Sequence, residues 1–298
     1  MAEANINFGP RPGIIGYPKR AWDFIRRWPV IPGIILALLV FSAAFAPIVA
    51  PHSPYDQSLR DRTQAPAWAE GGSSEYLLGT DHVGRDVLSR VIHGARISLM
   101  VTVVALGSGI LIGVTLGLIA GWYGGFADEI LARIVDIWLA LPFLLVALVV
   151  VIVFGQSVPT MMLVLAMVSW STFVRNVRAE VLTLKTRDYV ELARVSGAST
   201  PRILIRHIIP GVVNTVFVIA TLNVGGLILT EATLSFLGAG IPSPTPAWGL
   251  MVAEGRDYLR SHWWIPVVPG TAIALVVMSL NFLGDWLRDR FDPRLRQI

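Results

Sequence analysis

The stretch DYVELARVSGASTPRILIRHIIP, residues 188–210, decides how this sequence is interpreted. It is a polar interruption between long apolar runs, and it is predicted to form two short helices with a break between them. Asp188 and Glu191, three residues apart, have the spacing of a capping box at a helix start. Gly197 favours the left-handed backbone conformation that ends a helix, and Pro201 suits the first turn of a second helix.

The first short helix is predicted to offer a small-residue face to another protein. Small and apolar side chains recur there at steps of three and four residues, which places them on one face, at Tyr189, Leu192, Ala193 and Ser196. Such a helix is roughly 13 Å long and suits a groove on a partner. The same contact is predicted to involve Ala198, Pro201, Arg206, His207 and Pro210.

The composition indicates a membrane protein. Hydrophobic residues make up 54% of the chain and charged residues only 15%, well outside the usual range of soluble domains. Six apolar runs approach or exceed the roughly 20 residues that cross a bilayer as a helix. We therefore predict an all-α polytopic protein with six transmembrane helices, at 30–50, 97–121, 129–154, 158–177, 211–236 and 265–285.

Basic residues near the ends of the apolar runs predict the orientation. Lys and Arg are more numerous in one set of segments, 1–29, 178–210 and 286–298, than in the other, 51–96 and 238–264. Positive charge concentrates on the cytoplasmic side of membrane proteins, so both termini and the 178–210 loop are predicted to be cytoplasmic. A cleaved signal peptide is the alternative for the first run, but the run is long and begins far into the chain, which favours a retained anchor.

Several chemistries are excluded by what the sequence lacks. A phosphate-binding loop needs Gly-Lys-Ser/Thr, whereas Lys19 follows a proline and Lys185 follows a leucine. The chain has no cysteine and five scattered histidines, which excludes thiolate sites and disfavours a protein-built metal site. We expect no catalytic residue, no cofactor and no metal in this chain, and the positive charge does not indicate nucleic-acid binding.

The second apolar run contains a ridge of small residues. Glycines recur there at four-residue steps, at Gly109, Gly113, Gly117 and Gly121. Small residues at this spacing let transmembrane helices approach closely. Two interpretations stay open: static packing against a neighbouring helix, or a smooth surface on which helices slide during transport.

Charged residues within apolar runs are costly and therefore mark candidate functional positions. Asp136 lies inside the third run with Arg133 one turn before it, which predicts either an ion pair or a lining of the inner gate. Glu231 lies near the outer end of the fifth run and would either meet a substrate amine or form a hydrogen bond within the bundle. Pro142 is predicted to kink the third helix because it lacks a backbone donor.

Two outer segments have open roles. Residues 238–264 are rich in Pro and Trp and form either an interfacial aromatic belt or a functional lip at the outer end of the bundle. Residues 51–96 share the second possibility. Arg85, Asp86 and Arg90 could equally form a self-satisfied cap on the second span.

The 188–210 loop resembles the signature of binding-protein-dependent ABC importer permeases, which reads Glu-Ala-Ala, three residues, Gly, nine residues, Ile-x-Leu-Pro. The matching positions are Glu191, Ala193, Gly197 and Pro210, and the departures are Leu192, His207 and Ile209. Histidine at this place is common in the oligopeptide/dipeptide branch. LGTDHVGRDVLSR at 78–90 and EATLSFLGAGIPSPTPAWG at 231–249 are similar to the C-type subunit of that branch.

The resemblance implies a type I ABC importer permease fold, with residues 97–285 as the core, in a bacterial plasma membrane. It implies a heterodimer with a homologous permease subunit, and two ATP-binding subunits or one fused ATPase that bind ATP and Mg. An extracytoplasmic binding protein would deliver di- or oligopeptides; nickel, haem or glycopeptides are alternative cargoes. The lip at 238–264, with residues 51–96, would receive that binding protein or close the pore. The 188–210 loop would be the coupling helix, unless it merely lies on the membrane surface. A self-sufficient secondary transporter, which should show inverted repeats or broken helices, is the alternative from another class.

Overall fold

The computed structural model describes residues 29–291, in which all regular secondary structure is helical. The helices are α1 (Val30–Val49), α2 (Val87–Tyr123), α3 (Gly125–Ala140), α4 (Phe143–Phe154), α5 (Val158–Leu184), α6 (Asp188–Val195), α7 (Thr200–Ile203), α8 (Ile209–Phe236), α9 (Trp248–Gly255) and α10 (Trp264–Phe291). Within this part of the chain the all-α prediction is confirmed. Residues 1–28 of the predicted N-terminal segment and 292–298 of the predicted tail lie outside the described residues.

Five of the described helices are long and apolar enough to cross a membrane, and there are six crossings if one bent pair counts as a span. The bent pair is α3 and α4, which meet at 85°. The break falls at Leu141 and Pro142, and Leu141 has the extended conformation (φ −77°, ψ 134°) that a following proline imposes. Pro142 therefore interrupts the third span, as predicted, by ending one helix and starting another.

The fifth span differs from the predicted one because the helix continues through Pro210. Residues 204–208 form a π-helical turn between α7 and α8, and Pro210 lies in the first turn of α8. A proline inside an α-helix clashes with the carbonyl four residues earlier, and a π turn widens the backbone at that point. The loop thus leads directly into the membrane helix, with no break at its end.

The centre of the bundle is the pair α2 and α5, which pack together along most of their length. A β-carbon at any of the ridge glycines would come closer than 3.0 Å to an atom of α5, at Gly109, Gly113, Gly117 and Gly121. At Gly121, for example, it would lie 2.7 Å from the β-carbon of Val181. The ridge is therefore the contact surface between two helices of one chain, which is where the static-packing interpretation places it.

A cluster of four charged side chains fastens residues 51–86 to the bundle. Arg85 Nε donates to Asp81 Oδ2 at 2.6 Å, and its Nη2 donates to Glu254 Oε2 at 2.8 Å. Arg90 Nη1 donates to the same two carboxylates, at 3.1 Å in the case of Glu254. Both arginine side chains and Asp81 are buried, and we call these residues the ion cluster.

Further contacts hold the same segment at the start of α2 and α10. Asp86 caps α2 by accepting a hydrogen bond from the Ser89 backbone amide at 2.9 Å, and Trp264 Nε1 donates to the Thr80 carbonyl at 3.1 Å. Asp86 thus caps the second span, but Arg85 and Arg90 pair with Asp81 and not with Asp86, so these three residues do not form a self-satisfied cap. The two arginines also reach Glu254 of α9, which the sequence did not indicate.

The pKa of the Asp81 carboxyl is lowered despite its burial. Burial alone raises this pKa, but Arg90 and Arg85, with backbone amides of Arg85 and Val83, outweigh the burial and lower it. A carboxyl with a lowered pKa contributes stability above its ordinary pKa of about 3.9. That contribution is lost as the pH falls through the lowered value in the folded protein.

Gly113→Leu should separate α2 from α5. A β-carbon at Gly113 would lie 2.6 Å from the Trp170 carbonyl oxygen, and overpacking of this kind costs about 1–3 kcal/mol. We expect the midpoint of thermal unfolding, followed by tryptophan fluorescence in detergent, to fall by several degrees. Gly107→Leu is the matched control, since nothing lies within 4 Å of a β-carbon there. Equal shifts for the two variants would contradict the role of the ridge.

Asp81→Asn should release residues 51–86 locally. It leaves two buried guanidinium groups with one carboxylate, and removing one partner of a buried ion pair costs about 3–5 kcal/mol. We expect faster amide hydrogen exchange in residues 77–86, measured in nanodiscs. Asp257→Asn is the control because that side chain is 82% exposed. Unchanged exchange in Asp81→Asn would show that the ion cluster does not hold the segment.

Candidate functional site: the coupling loop

The 188–210 loop has the predicted helix–break–helix form. α6 is followed by Gly197, whose φ of +78° lies in the left-handed region that glycine adopts without strain. Pro201 lies in the first turn of α7. Nothing lies within 4 Å of the position that a β-carbon would take at Gly197, so backbone conformation, not crowding, requires glycine there.

The predicted capping box at the start of α6 is wrong. The N-cap of α6 is Arg187, with no side-chain capping bond, and Asp188 already belongs to the first helical turn. The Glu191 carboxylate accepts a hydrogen bond from Arg194 Nη1 at 3.1 Å and takes no part in a capping box. The N-cap of α7 is Ser199, again without a side-chain bond. Acidic side chains in the first turn of α6 still favour the helix through its dipole.

α6 buries one side within this chain and leaves most of the face predicted for a partner exposed. Val190 is fully buried and Ala193 partly buried, in an apolar cluster with residues of α5 and α8. Tyr189 is 45% exposed, Leu192 66% and Val195 86%. An eight-residue helix has little more than two turns, so sequence periodicity alone did not orient it. α6 therefore presents an exposed apolar edge within the described part of the chain.

Three polar contacts tie the loop and its approach to α2 and α3. Lys185 Nζ donates to the Gly121 carbonyl at 2.9 Å, near the end of α2, where the helix dipole favours a cation. The Arg194 guanidinium lies 5.6 Å from the ring centroid of Trp122. Between the long helices, Arg178 Nη2 donates to Asp128 Oδ2 at 2.7 Å. Trp122 and Asp128 were not singled out in the sequence, because they are distant from the loop along the chain.

The second half of the loop joins the same surroundings. Ala198 packs against the apolar cluster that contains Val190, and the His207 ring lies 6.2 Å from the Tyr189 ring. Arg206 is exposed. The structure thus brings the candidate residues of both short helices to one end of the bundle, while Glu231 lies apart from them in α8.

Asp136 forms an ion pair with a different residue from the one predicted. Its Oδ1 accepts from Arg175 Nη2 of α5 at 3.2 Å, and both side chains are more than half exposed. Arg133, one turn away on the same helix, is not the partner that the structure records. The pairing therefore links α3 to α5, and the prediction that Asp136 lines an inner gate stays a prediction.

Glu231 is buried, with 1% of its surface exposed. Ser235 Oγ, one turn later on α8, donates to Glu231 Oε1 at 2.8 Å, and Oε2 has no partner among the described residues. The hydrogen bond supports the packing interpretation of this residue. The alternative, contact with a substrate amine, remains a prediction.

The two carboxylates of the ion cluster, together with His82, also have the spacing of a metal site. Ligand atoms of Asp81, His82 and Glu254 lie within 4.8 Å of one another. However, both carboxylates already accept hydrogen bonds from Arg85 and Arg90. Two guanidinium groups balance the two carboxylates, so this arrangement is suited to holding the segment in place.

Family models match two parts of the chain. Residues 113–297 match the binding-protein-dependent transport system inner membrane component. Residues 26–66 match the N-terminal transmembrane domain of oligopeptide transport permease C. The first match includes the whole coupling loop.

Curated relatives are similar over nearly their whole length. The dipeptide transport system permease protein DppC of Escherichia coli K12 is 45% identical over 93% of this chain and 93% of its own. The di/tripeptide transport system permease protein DppC of Pseudomonas aeruginosa is 42% identical over 93% of this chain and 92% of its own. The glutathione transport system permease protein GsiD of Pectobacterium atrosepticum is 40% identical over 90% and 87%.

Solved structures agree in fold. The inward-facing MetNI methionine ABC transporter has a chain with a TM-score of 0.55 and 20% identity, matched over 66% of this chain and 94% of its own. A chain of an amino acid ABC transporter has a TM-score of 0.53 and 15% identity, matched over 68% of this chain and 95% of its own. With a family model that covers more than half of the chain and relatives well above 30% identity, this protein belongs to the binding-protein-dependent ABC transporter permeases.

Proposed function

We propose that this chain is the permease subunit of an ATP-driven importer of di- and oligopeptides. The observation that carries the proposal is near-full-length similarity to relatives named for dipeptide transport, at 45% identity in one case. Glutathione is a second candidate cargo, because a relative named for its transport is 40% identical. Nickel or haem import would use the same scaffold but is not named by these relatives.

The apolar edge of α6 is proposed to dock a separate ATPase. Tyr189, Leu192 and Val195 are exposed there, and an exposed apolar edge outside the membrane costs free energy unless a partner covers it. ATP and Mg would be bound by that ATPase, since this sequence has no phosphate-binding loop. The chain itself would then catalyse no reaction.

The rest of the assembly follows the family. We propose a heterodimer with a homologous permease, two ATPase subunits or one fused ATPase, and an extracytoplasmic binding protein. The excess of basic residues around the 188–210 loop supports a cytoplasmic position for that loop and for both termini. The membrane would be the bacterial plasma membrane. Residues 51–86 and α9, at the opposite end of α2, would then face the binding protein.

Uptake assays test the cargo directly. The complete transporter is reconstituted in liposomes, and its binding protein is added. It should import a labelled dipeptide when ATP is supplied to the side of the membrane that carries the ATPase. Unlabelled dipeptide should compete more effectively than glutathione. If only glutathione competes, glutathione and not a dipeptide is the cargo. If neither dipeptide nor glutathione competes, peptide import is refuted.

Gly197→Val should uncouple ATP hydrolysis from import. A β-branched residue at this positive φ is strained by about 1–3 kcal/mol, so the angle between α6 and α7 should change. We expect import to fall roughly tenfold, the factor given by about 1.4 kcal/mol, while hydrolysis persists.

Gly155→Val provides the matched control. Gly155 has the same φ of +78° and equally nothing within 4 Å, but it ends α4, away from the coupling loop. Membrane insertion of both variants should match that of the wild type. If the two variants lost import equally, strain in general, and not the loop, would explain the effect.

A further inference from the structure

We propose that Arg194 and Trp122 form the contact through which movement of α6 reaches α2, so that both are positioning residues for coupling. The inference rests on the proposed docking of an ATPase against α6. It adds a residue on a membrane-spanning helix to the signature residues of the loop.

The contact has the geometry of a cation–π interaction. The Arg194 guanidinium lies 5.6 Å from the centroid of the Trp122 ring, within the roughly 6 Å over which such attraction acts. Arg194 Nη1 also donates to Glu191 Oε1 at 3.1 Å. The guanidinium thus contacts both the Glu191 carboxylate and the indole, which gives Glu191 a role within this chain.

Trp122 is placed where a displaced α6 would press on it. The indole packs against the apolar cluster that contains Val190, and Ala193 packs there too. The loop is joined covalently to α5 and through Arg194 to α2. Because the glycine ridge seats these two long helices directly against each other, a movement of α6 acts on both members of the central pair.

α2 can carry such a movement to the opposite end of the bundle. It is one continuous helix of 37 residues, about 55 Å long at 1.5 Å per residue. Trp122 lies in its last turn, and Arg90 of the ion cluster lies in its first. Arg90 is 1% exposed and bonded to Asp81 and Glu254. Displacement of α2 would therefore move residues 51–86 and α9.

The remaining contact near this end does not substitute for Arg194. Lys185 Nζ binds the Gly121 carbonyl at 2.9 Å, but Lys185 directly follows α5 and precedes α6. It fastens the start of the loop to α2, whereas Arg194 makes the polar contact between the far turn of α6 and α2.

The test measures labelled dipeptide imported per ATP hydrolysed by the complete reconstituted transporter. Trp122→Ala and Arg194→Ala should each lower this ratio roughly two- to fivefold, the factor expected for loss of an exposed cation–π contact. The double variant should fall no further, because both changes remove one interaction. Trp122→Phe and Arg194→Lys should keep most of the wild-type ratio.

Tyr123→Ala is the matched control, since Tyr123 is the neighbouring aromatic residue and is 67% exposed. It should leave the ratio unchanged. A purely structural defect would lower import and hydrolysis together and would leave their ratio intact. If Trp122→Ala fails to insert, the test uses Arg194→Ala and Arg194→Lys instead, because the Arg194 side chain is exposed.

Co-purification of the ATPase separates this inference from the proposed function. An ATPase that does not co-purify with the wild-type chain would refute the proposed docking itself. An ATPase that co-purifies with Arg194→Ala, together with an unchanged import-to-hydrolysis ratio, would overturn the role of the Arg194–Trp122 contact. Independent, additive losses in the double variant would overturn it as well.

Discussion

Close approach of α2 and α5 is the constraint on which the rest of this protein depends. Glycine at Gly109, Gly113, Gly117 and Gly121 lets the backbone of α2 contact side chains and carbonyls of α5 directly. In a bilayer, where lipid tails are as apolar as leucine, such packing supplies the association that the hydrophobic effect supplies in water. The other helices and both ends of the bundle are arranged around this pair.

The two ends of α2 are held by different kinds of interaction. At one end, a buried, charge-balanced ion cluster joins residues 51–86 to α9. At the other, a half-exposed arginine lies over a tryptophan, beside apolar packing of the coupling loop. Buried ion pairs define one geometry because leaving either partner unpaired is costly. Exposed contacts are weaker and can be displaced by a docking partner, which suits the proposed docking of an ATPase at this loop.

Motifs with a local physical cause were predicted well. The positive φ of Gly197 and the interruption at Pro142 each follow from the conformational limits of one or two residues. Predictions that required a choice between partners were wrong. Asp136 binds Arg175 of α5 and not Arg133, and Glu191 binds Arg194 in place of a backbone cap.

The sequence by itself determined the helical membrane class, the family and the place of the 188–210 loop, since apolar length, glycine spacing and the loop signature are properties of contiguous residues. Only the tertiary structure decided which face of α6 is buried, that Glu254 completes the ion cluster, and that Arg194 meets Trp122. The reason is physical: these contacts join residues far apart along the chain, and their energies depend on helix positions that no local pattern encodes. The 188–210 loop is thus identified by its own residues, but its attachment to the membrane helices is set by the packing of α2 against α5.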